Sequence, residues 1–336
     1  MKIGKIKDVL EIVKSLPEEI NSELFLRGKI TFSRNLYGHI FPETADDTKL
    51  TKVLDTFIKI FQEENKFNNF LFFSLESLTK NELATLVTLH FVPPTTNTKN
   101  SSSKALLLSP DGKLGILINE ESHLTLFTYF FQEEFEEKLA ESKELIDYLG
   151  SKLNFAKARE NFYFTANPYK AGEALTVSIL VNMENFLDKI RFQEFVKKVK
   201  ERGFNFEAVA TFPSFIFLSF HLTPNENFES VKLKYENLLN FVGTEKQKWE
   251  TFLQKEENGL VLYDRFSKAE AILEKCLLLN WQEGISILTT FYSFKKISTS
   301  KIYKYFYFTL PMFFSKKSQV ENSKNRAEFL RKELKD

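Results

Sequence analysis

The sequence predicts an α+β domain built on an antiparallel sheet, with an all-α domain after it. Three observations carry that reading. Short apolar, β-rich runs bounded by turn residues alternate with helical periodicity through the first two-thirds of the chain. Two of those runs are joined by a turn sequence short enough for a hairpin. Beyond Val242–Glu245 only helical patterns remain. At 336 residues there is room for two domains, and the change of character puts them at 1–243 and 244–336.

Ile6–Leu16 places Ile6, Val9, Leu10, Val13 and Leu16 on one helical stripe. Leu24–Phe32 has strand character, and Leu50–Phe61 and Glu82–His90 read as helices. The run 91–104 reads as a loop, because Pro93-Pro94 blocks helix and the following Ser, Asn and Thr compete for backbone hydrogen bonds. Ala105–Leu108 and Leu114–Ile118 flank Ser109-Pro110-Asp111-Gly112 and predict a hairpin. Gln132–Leu149 is a long acidic helix with a solvated face. Leu175–Val181 and Phe215–Leu222 are strands, with a helix at Phe186–Arg202 between them. The second domain reads as helices at Glu245–Glu257, Leu260–Leu279 and Trp281–Phe291, the first two separated at Asn258-Gly259, and a charged helix from about Asn322. No internal repeat is visible.

Composition narrows the functional classes. Apolar residues make up 43% and charged residues 27%, an ordinary globular balance. A net charge of +1 gives no global basic field for nucleic acid or anionic membrane. No apolar run approaches the roughly 20 residues of a membrane span, and Met1–Leu10 lacks a signal-peptide core. The single Cys276 fits a reducing, cytoplasmic setting. With that cysteine, the four scattered histidines (His39, His90, His123, His221) give no metal-ligand spacing, so no metal is expected. Phenylalanine is abundant, 37 residues against two tryptophans, and reads as core filling.

Gly115–Thr125 (GILINEESHLT) is the chemically densest stretch. Glu120, Glu121 and His123 follow an apolar strand directly, where a catalytic site needs titratable groups. A second reading is that Asn119, Glu120 and His123 cap and brace the strand end.

The same stretch resembles the NEEDHLR signature of the ATP:guanido phosphotransferases. Further motifs run collinear with it. Ser33-Arg34-Asn35-Leu36, followed by Phe41-Pro42, resembles SSRxRLARNL…PFP. Leu149–Pro168 resembles the stretch ending in GYLTACP, and Arg202-Gly203 resembles the RG loop. Leu262–Thr289 and Asn325–Leu334 resemble the helical tail of the bacterial protein arginine kinase (McsB-type) branch. The resemblance implies a guanido-kinase-like catalytic domain followed by that branch's helical domain, which mediates dimerisation there.

Phosphoryl transfer is mostly positioning and charge neutralisation. The family clamps phosphates with arginines, whose planar forks suit bidentate contact, and orients the guanidinium with carboxylates. By resemblance Glu121, Glu120 and Glu207 match catalytic carboxylates, with the family's second loop Glu falling on Ala210. Lys29, Arg34 and His123 match nucleotide-site positions. The clamp arginines themselves fall on Lys29, Thr31, Thr125, Thr176 and Asn205, so among those positions only a lysine keeps a cation. Glu173 adds an anion beside the loop that would meet phosphate. Arg326 matches part of a phosphoarginine-binding motif whose leading Arg-Asp pair is here Asn322-Ser323. A hydrogen bond to a charged group contributes roughly 1.5–3 kcal/mol, so losing four removes on the order of 6–12 kcal/mol before non-additivity.

Three functions stay open on this reading. The first is a catalytically impaired protein-arginine-kinase homologue acting through protein contacts, perturbing or serving an arginine-kinase and protease quality-control system. The second is an active Mg·ATP-dependent protein arginine phosphotransferase with a rearranged clamp, in which Arg27 and Lys170 are displaced replacements. The third is a non-catalytic module for phosphoarginine or arginine-rich peptide. The first and third need no cofactor; the expected partners are proteins, with a homodimer through the helical domain, and neither nucleic acid nor membrane.

Overall fold

The structure is a computed structural model. It describes all residues except 16–23, 97–100, 184–188, 210–214, 295–296, 298–300, 303–304, 306–317 and 336. Ala210 and Leu16 therefore lie outside the described residues. The chain divides into two compact units: Met1–Ser15, Arg27–Ile179 and Ser219–Tyr235 form the first, and Leu16–Leu26, Leu180–Leu218 and Glu236–Asp336 form the second.

The strands are β1 (Lys2–Ile3), β2 (Arg27–Arg34), β3 (Leu71–Ser74), β4 (Ala105–Leu108), β5 (Leu114–Ile118), β6 (Leu124–Phe130), β7 (Lys157–Arg159), β8 (Phe162–Tyr163), β9 (Leu175–Asn182), β10 (Asn205–Ala208) and β11 (Phe215–His221). The main sheet has the order β1-β3-β4-β5-β6-β2-β9-β11-β10, and β7 with β8 forms a separate ribbon. The expected antiparallel character holds from β3 through β2, while β1 pairs with β3 in parallel. The predicted hairpin forms, with Ala105 opposite Ile118 and Leu108 opposite Gly115. Gly112 takes the left-handed φ of +68° that its turn requires.

In the first unit, α1 (Ile6–Lys14), α2 (Asp47–Glu63), α3 (Lys80–Thr88) and α4 (Phe135–Lys152) accompany the sheet. The buried positions of α1 are Val9, Ile12 and Val13, so the core stripe is rotated from the predicted one to include Ile12. A Thr79–Glu82 capping box starts α3. Strand β6 carries no alternation in the sequence because both its faces are covered, with Leu124, Leu126, Phe127, Thr128, Tyr129 and Phe130 all buried.

The abundance of phenylalanine has a specific use in this sheet. Gly28 lies opposite Phe130 and Gly115 opposite Phe127. A Cβ at either glycine would fall inside van der Waals contact with the facing ring, and Gly4 stands in the same relation to Phe73. Each ring covers the bare backbone of a neighbouring strand, a pairing that pins register.

The second unit holds α5 (Lys189–Glu201) and, in its C-terminal part, α7 (Glu256–Lys275), α8 (Trp281–Ser293) and α9 (Gln319–Lys335), while α6 (Ser230–Leu253) begins in the first unit and continues into the second. The predicted break at Asn258-Gly259 is absent. The Gly259 N–H donates to Lys255 C=O at 3.0 Å, so the glycine sits inside α7 and the break falls at 254–255. Phe266 of α7 packs against Phe291 and Phe294, and α9 packs on both α7 and α8. Among the described residues no helix is long and apolar enough to cross a membrane.

Candidate functional site

Strand alternation sorts the site positions. On β2, Arg27, Lys29, Thr31 and Ser33 point to one face and Ile30, Phe32 and Arg34 to the other. The register sets Lys29 opposite Tyr129, Thr31 opposite Phe127 and Ser33 opposite Thr125. Lys29, Thr31 and Thr125 therefore share one sheet face. All three are half-buried, as is Thr176 on β9 between buried Leu175 and Val177. Three of these four positions offer a short neutral hydroxyl.

The fourth, Lys29, faces the end of α3. Its ammonium donates to His90 C=O at 3.2 Å and lies 4.4 Å from the Phe127 ring centre. Arg27 sends Nη2 to Leu89 C=O at 3.0 Å and lies 3.6 Å over the Tyr129 ring, whose hydroxyl donates to His90 C=O at 2.6 Å. These three donors satisfy the carbonyls that follow α3, where the helix dipole presents negative charge. His90, at φ +62°, closes the turn. Burial, with Arg27 and Lys29 beside it, holds the His90 imidazole well below its ordinary pKa.

Arg34 points the other way and is buried. Its Nη1 donates to the carbonyls of Ser33 and Glu173 at 2.8 and 2.9 Å, and the guanidinium lies 3.6 Å over Tyr163. Burial lowers its pKa to about 10. Glu173 is buried too, and its carboxyl is pushed up by burial against the opposing pull of Arg34 and Lys143. The anion expected beside the phosphate-facing loop is thus an interior group: its Oε2 finds no hydrogen-bond donor among the described residues.

The connection from β5 to β6 is built around Asn119. Its φ of +57° turns the chain, and its Nδ2 donates to Leu50 C=O at 2.9 Å and Ser103 C=O at 2.7 Å. His123 has no exposed surface. Its Nδ1 accepts from Leu36 N–H at 3.1 Å, which assigns the ring proton to Nε2, 3.0 Å from Ile40 C=O. Burial lowers its pKa to about 4. The Asn35 side chain accepts from His123 N–H at 3.0 Å and donates to Phe164 C=O at 3.1 Å, bridging this connection to the residue that follows β8.

The two carboxylates have different surroundings. Glu120 is almost fully buried beside Lys104, whose Nζ stands 3.3 Å from Oε1 but off the hydrogen-bonding direction. Burial raises its pKa, with Lys104 acting against the rise. Glu121 is open to solvent, and both its oxygens accept from Lys170 Nζ at 2.9 Å. Lys104 was not singled out by the sequence. Its signal was the hairpin register: with Ala105 opposite Ile118, continuing one step each way brings Lys104 to the Asn119–Glu120 end.

Glu207 and Asn205 lie exposed on β10 in the second unit. Arg326, also in that unit, is buried, and its Nη1 donates to Leu279 C=O at 2.7 Å. Arg331 donates its Nε to Leu273 C=O at 3.0 Å and bonds Cys276 C=O as well. Arginines of α9 thus satisfy the carbonyls at and after the end of α7. Among the described residues no group of three or more His, Cys, Asp or Glu could hold a metal ion.

Residues 51–211 match the model of the ATP:guanido phosphotransferase C-terminal catalytic domain. Along most of its length it is similar to protein-arginine kinases. It is 22% identical to that of Syntrophomonas wolfei over 275 residues, covering 80% of this chain and 76% of the relative. It is 21% identical to that of Geobacillus stearothermophilus over 296 residues, covering 86% and 81%. The fold is shared with the duplicated taurocyamine kinase of Schistosoma mansoni at a TM-score of 0.60 and 14% identity, over 81% of this chain and 40% of that one. A lombricine kinase superposes at a TM-score of 0.50 and 15% identity, over 74% and 71%.

Proposed function

We propose that this protein is a catalytically impaired homologue of the protein-arginine kinases, acting through protein contacts. The observation that carries the reading is the chemistry of one sheet face. Of the positions that match phosphate-clamp arginines, Thr31 and Thr125 lie on that face, Thr176 lies on β9 and Asn205 on β10; none can neutralise a triphosphate, and Lys29 donates to His90 C=O. Arg34 cannot substitute, since its guanidinium is buried against two carbonyls on the opposite face. The donor set does not fit Mg·ATP, whose several negative charges need fixed cations. His123, with both ring nitrogens bonded to backbone groups, supports the bracing reading of its motif.

A second reading, an active phosphotransferase with a displaced clamp, draws on Lys170, which stands beside Glu121. The two readings separate in one assay. The full chain is incubated with Mg·ATP and a denatured, arginine-containing protein, and phosphoarginine is read by phosphorus NMR. The impaired homologue leaves the signal at the level of a sample without the chain. A phosphoarginine signal that disappears in Glu121→Gln supports the active enzyme instead. A homodimer through the helical segment and partners in arginine-kinase-linked proteolysis remain part of the proposal, carried by resemblance, as does a cytoplasmic setting, carried by the single Cys276.

A further inference from the structure

We propose that residues 171–174 form a spring-loaded clasp, shut while the buried Glu173 carboxyl is neutral and released when that carboxyl ionises. The clasp sets the position of the 167–174 loop, and it operates whether or not the chain binds nucleotide.

Backbone strain is the first ground. Gly172 has a φ of +105° and Ala174 a φ of +48°. Glycine takes such a conformation freely, but an alanine is kept in the left-handed region only by its surroundings. Gly172 also lies against the 221–226 turn, where a Cβ would come within 3.1 Å of Pro224 Cα. Hydrogen bonds from two strands supply the restraint. Ser33 N–H donates to Ala174 C=O at 3.0 Å, and Arg34 Nη1 donates to Glu173 C=O at 2.9 Å. Tyr163 N–H donates to Gly172 C=O at 2.7 Å, and Gly172 N–H donates back to Tyr163 C=O at 3.3 Å.

The second ground is the carboxyl between these two positions. Glu173 is only 2% exposed, and its Oε2 has no donor among the described residues. Arg34 meets the main chain of Glu173, and its Nε is without a partner among the described residues as well. An ionised carboxylate in such a place is far costlier than a neutral acid. Burial lifts the carboxyl above its ordinary range; Arg34 of β2 and Lys143 of α4 act against the rise, and Asp147 of α4 adds to it. Lys143 is itself paired with Asp147 at 2.5 Å, and Tyr163 of β8 lies 3.6 Å from the Arg34 guanidinium. On the far side of Gly172, the 221–226 turn carries His221 and Glu226, the latter paired with Lys234 of α6.

Strain and charge work in the same direction. Opening lets Ala174 relax and brings the carboxylate to water; the bonds to Ser33, Arg34 and Tyr163 oppose it. Linkage sets the sign. The open segment carries a carboxyl at its ordinary value near 4.5 and the shut segment a raised one, so the shut form holds the proton more tightly. Closure is therefore strongest below about pH 4.5 and weakens as pH rises through the raised value. Lys170 lies three residues before Glu173 and is paired with Glu121, so release of the clasp also parts the loop from the β5–β6 connection.

The test is amide hydrogen exchange on the full chain without nucleotide, at pH 5, 6, 7 and 8, with the intrinsic pH dependence of exchange divided out. The reporters are the Tyr163, Gly172 and Ser33 amides, whose bonds cross the clasp or its strands, and the amides of the 105–118 hairpin serve as the control. The clasp predicts that protection of Tyr163 and Gly172 falls at least about threefold from pH 5 to pH 8 while the hairpin holds. Glu173→Gln abolishes the fall and leaves both amides better protected than in wild type at pH 8. His221 and the other titrating groups are common to both proteins, so they cancel in that comparison. Protection that is flat with pH, or a fall that persists in Glu173→Gln, overturns the proposal. Ala174→Gly tests the spring separately: it raises protection of the same amides at every pH and keeps the pH-dependent fall. Lower protection than wild type in Ala174→Gly overturns the spring-loaded form of the clasp.

Discussion

His123 stands two residues beyond a pair of carboxylates, where a titrating imidazole would serve acid–base chemistry. Its surroundings give it a bracing part, with Nδ1 accepting from Leu36 and Nε2 meeting Ile40 C=O. Only the neutral ring makes both contacts. Its folded pKa of about 4 lies below the ordinary 6.5, because burial penalises the charged form. The unfolded chain therefore binds the extra proton first, and the contribution of His123 is complete above about pH 6.5 and is lost as pH falls toward about 4, with a ceiling of about 3 kcal/mol. Urea unfolding of wild type and His123→Gln checks this. The stability advantage of wild type shrinks between about pH 7 and about pH 4.5; an advantage that is constant across that window contradicts the assignment. Glu120 and Glu173, whose raised pKa values act with the opposite sign, are common to both proteins and cancel in the difference. The sequence placed His123 in the right motif, but its burial and its two backbone partners come from segments more than eighty residues away.

The sheet depends on rings lying over glycines. Gly115 on β5 faces Phe127 on β6, and a methyl group there collides with the ring. Gly115→Ala is expected to destabilise the protein by about 1–3 kcal/mol, the usual cost of overpacking a filled core. Phe127→Leu makes room, so the double variant loses less than the two single losses added together, with a coupling of at least about 0.5 kcal/mol. Strict additivity in denaturant unfolding would show that the ring does not rest on Gly115. Elements with local signals were readable from sequence: the 105–118 hairpin from its turn residues, α4 from its periodicity, and α8, whose Asn280 cap bonds Glu283 N–H at 2.9 Å. Strand β6 was not, since burial on both faces erases alternation. The end of α7 was misplaced because Leu277–Leu279 continue its apolar pattern, while the helix stops at Lys275 and the carbonyls of Leu279 and Cys276 after it are met by Arg326 and Arg331 from α9.

At the scale of the whole molecule, cations and carbonyls recur as a pair. Arg27 and Lys29 satisfy the turn after α3, and Arg326 and Arg331 satisfy the turn after α7. Three of these four matched or neighboured ligand-binding positions in the sequence, and each donates to a backbone carbonyl. The resemblance located the positions, while the partners of each side chain had to come from the folded chain. The central claim is that a guanido-kinase fold persists here without a phosphate clamp. Isothermal titration of Mg·ATP into the full chain tests it most directly. The account predicts no saturable heat up to millimolar nucleotide, because threonines at 31, 125 and 176 supply no charge and Lys29 is turned to His90. A saturable isotherm with a micromolar dissociation constant, weakened by Lys29→Met, would contradict it.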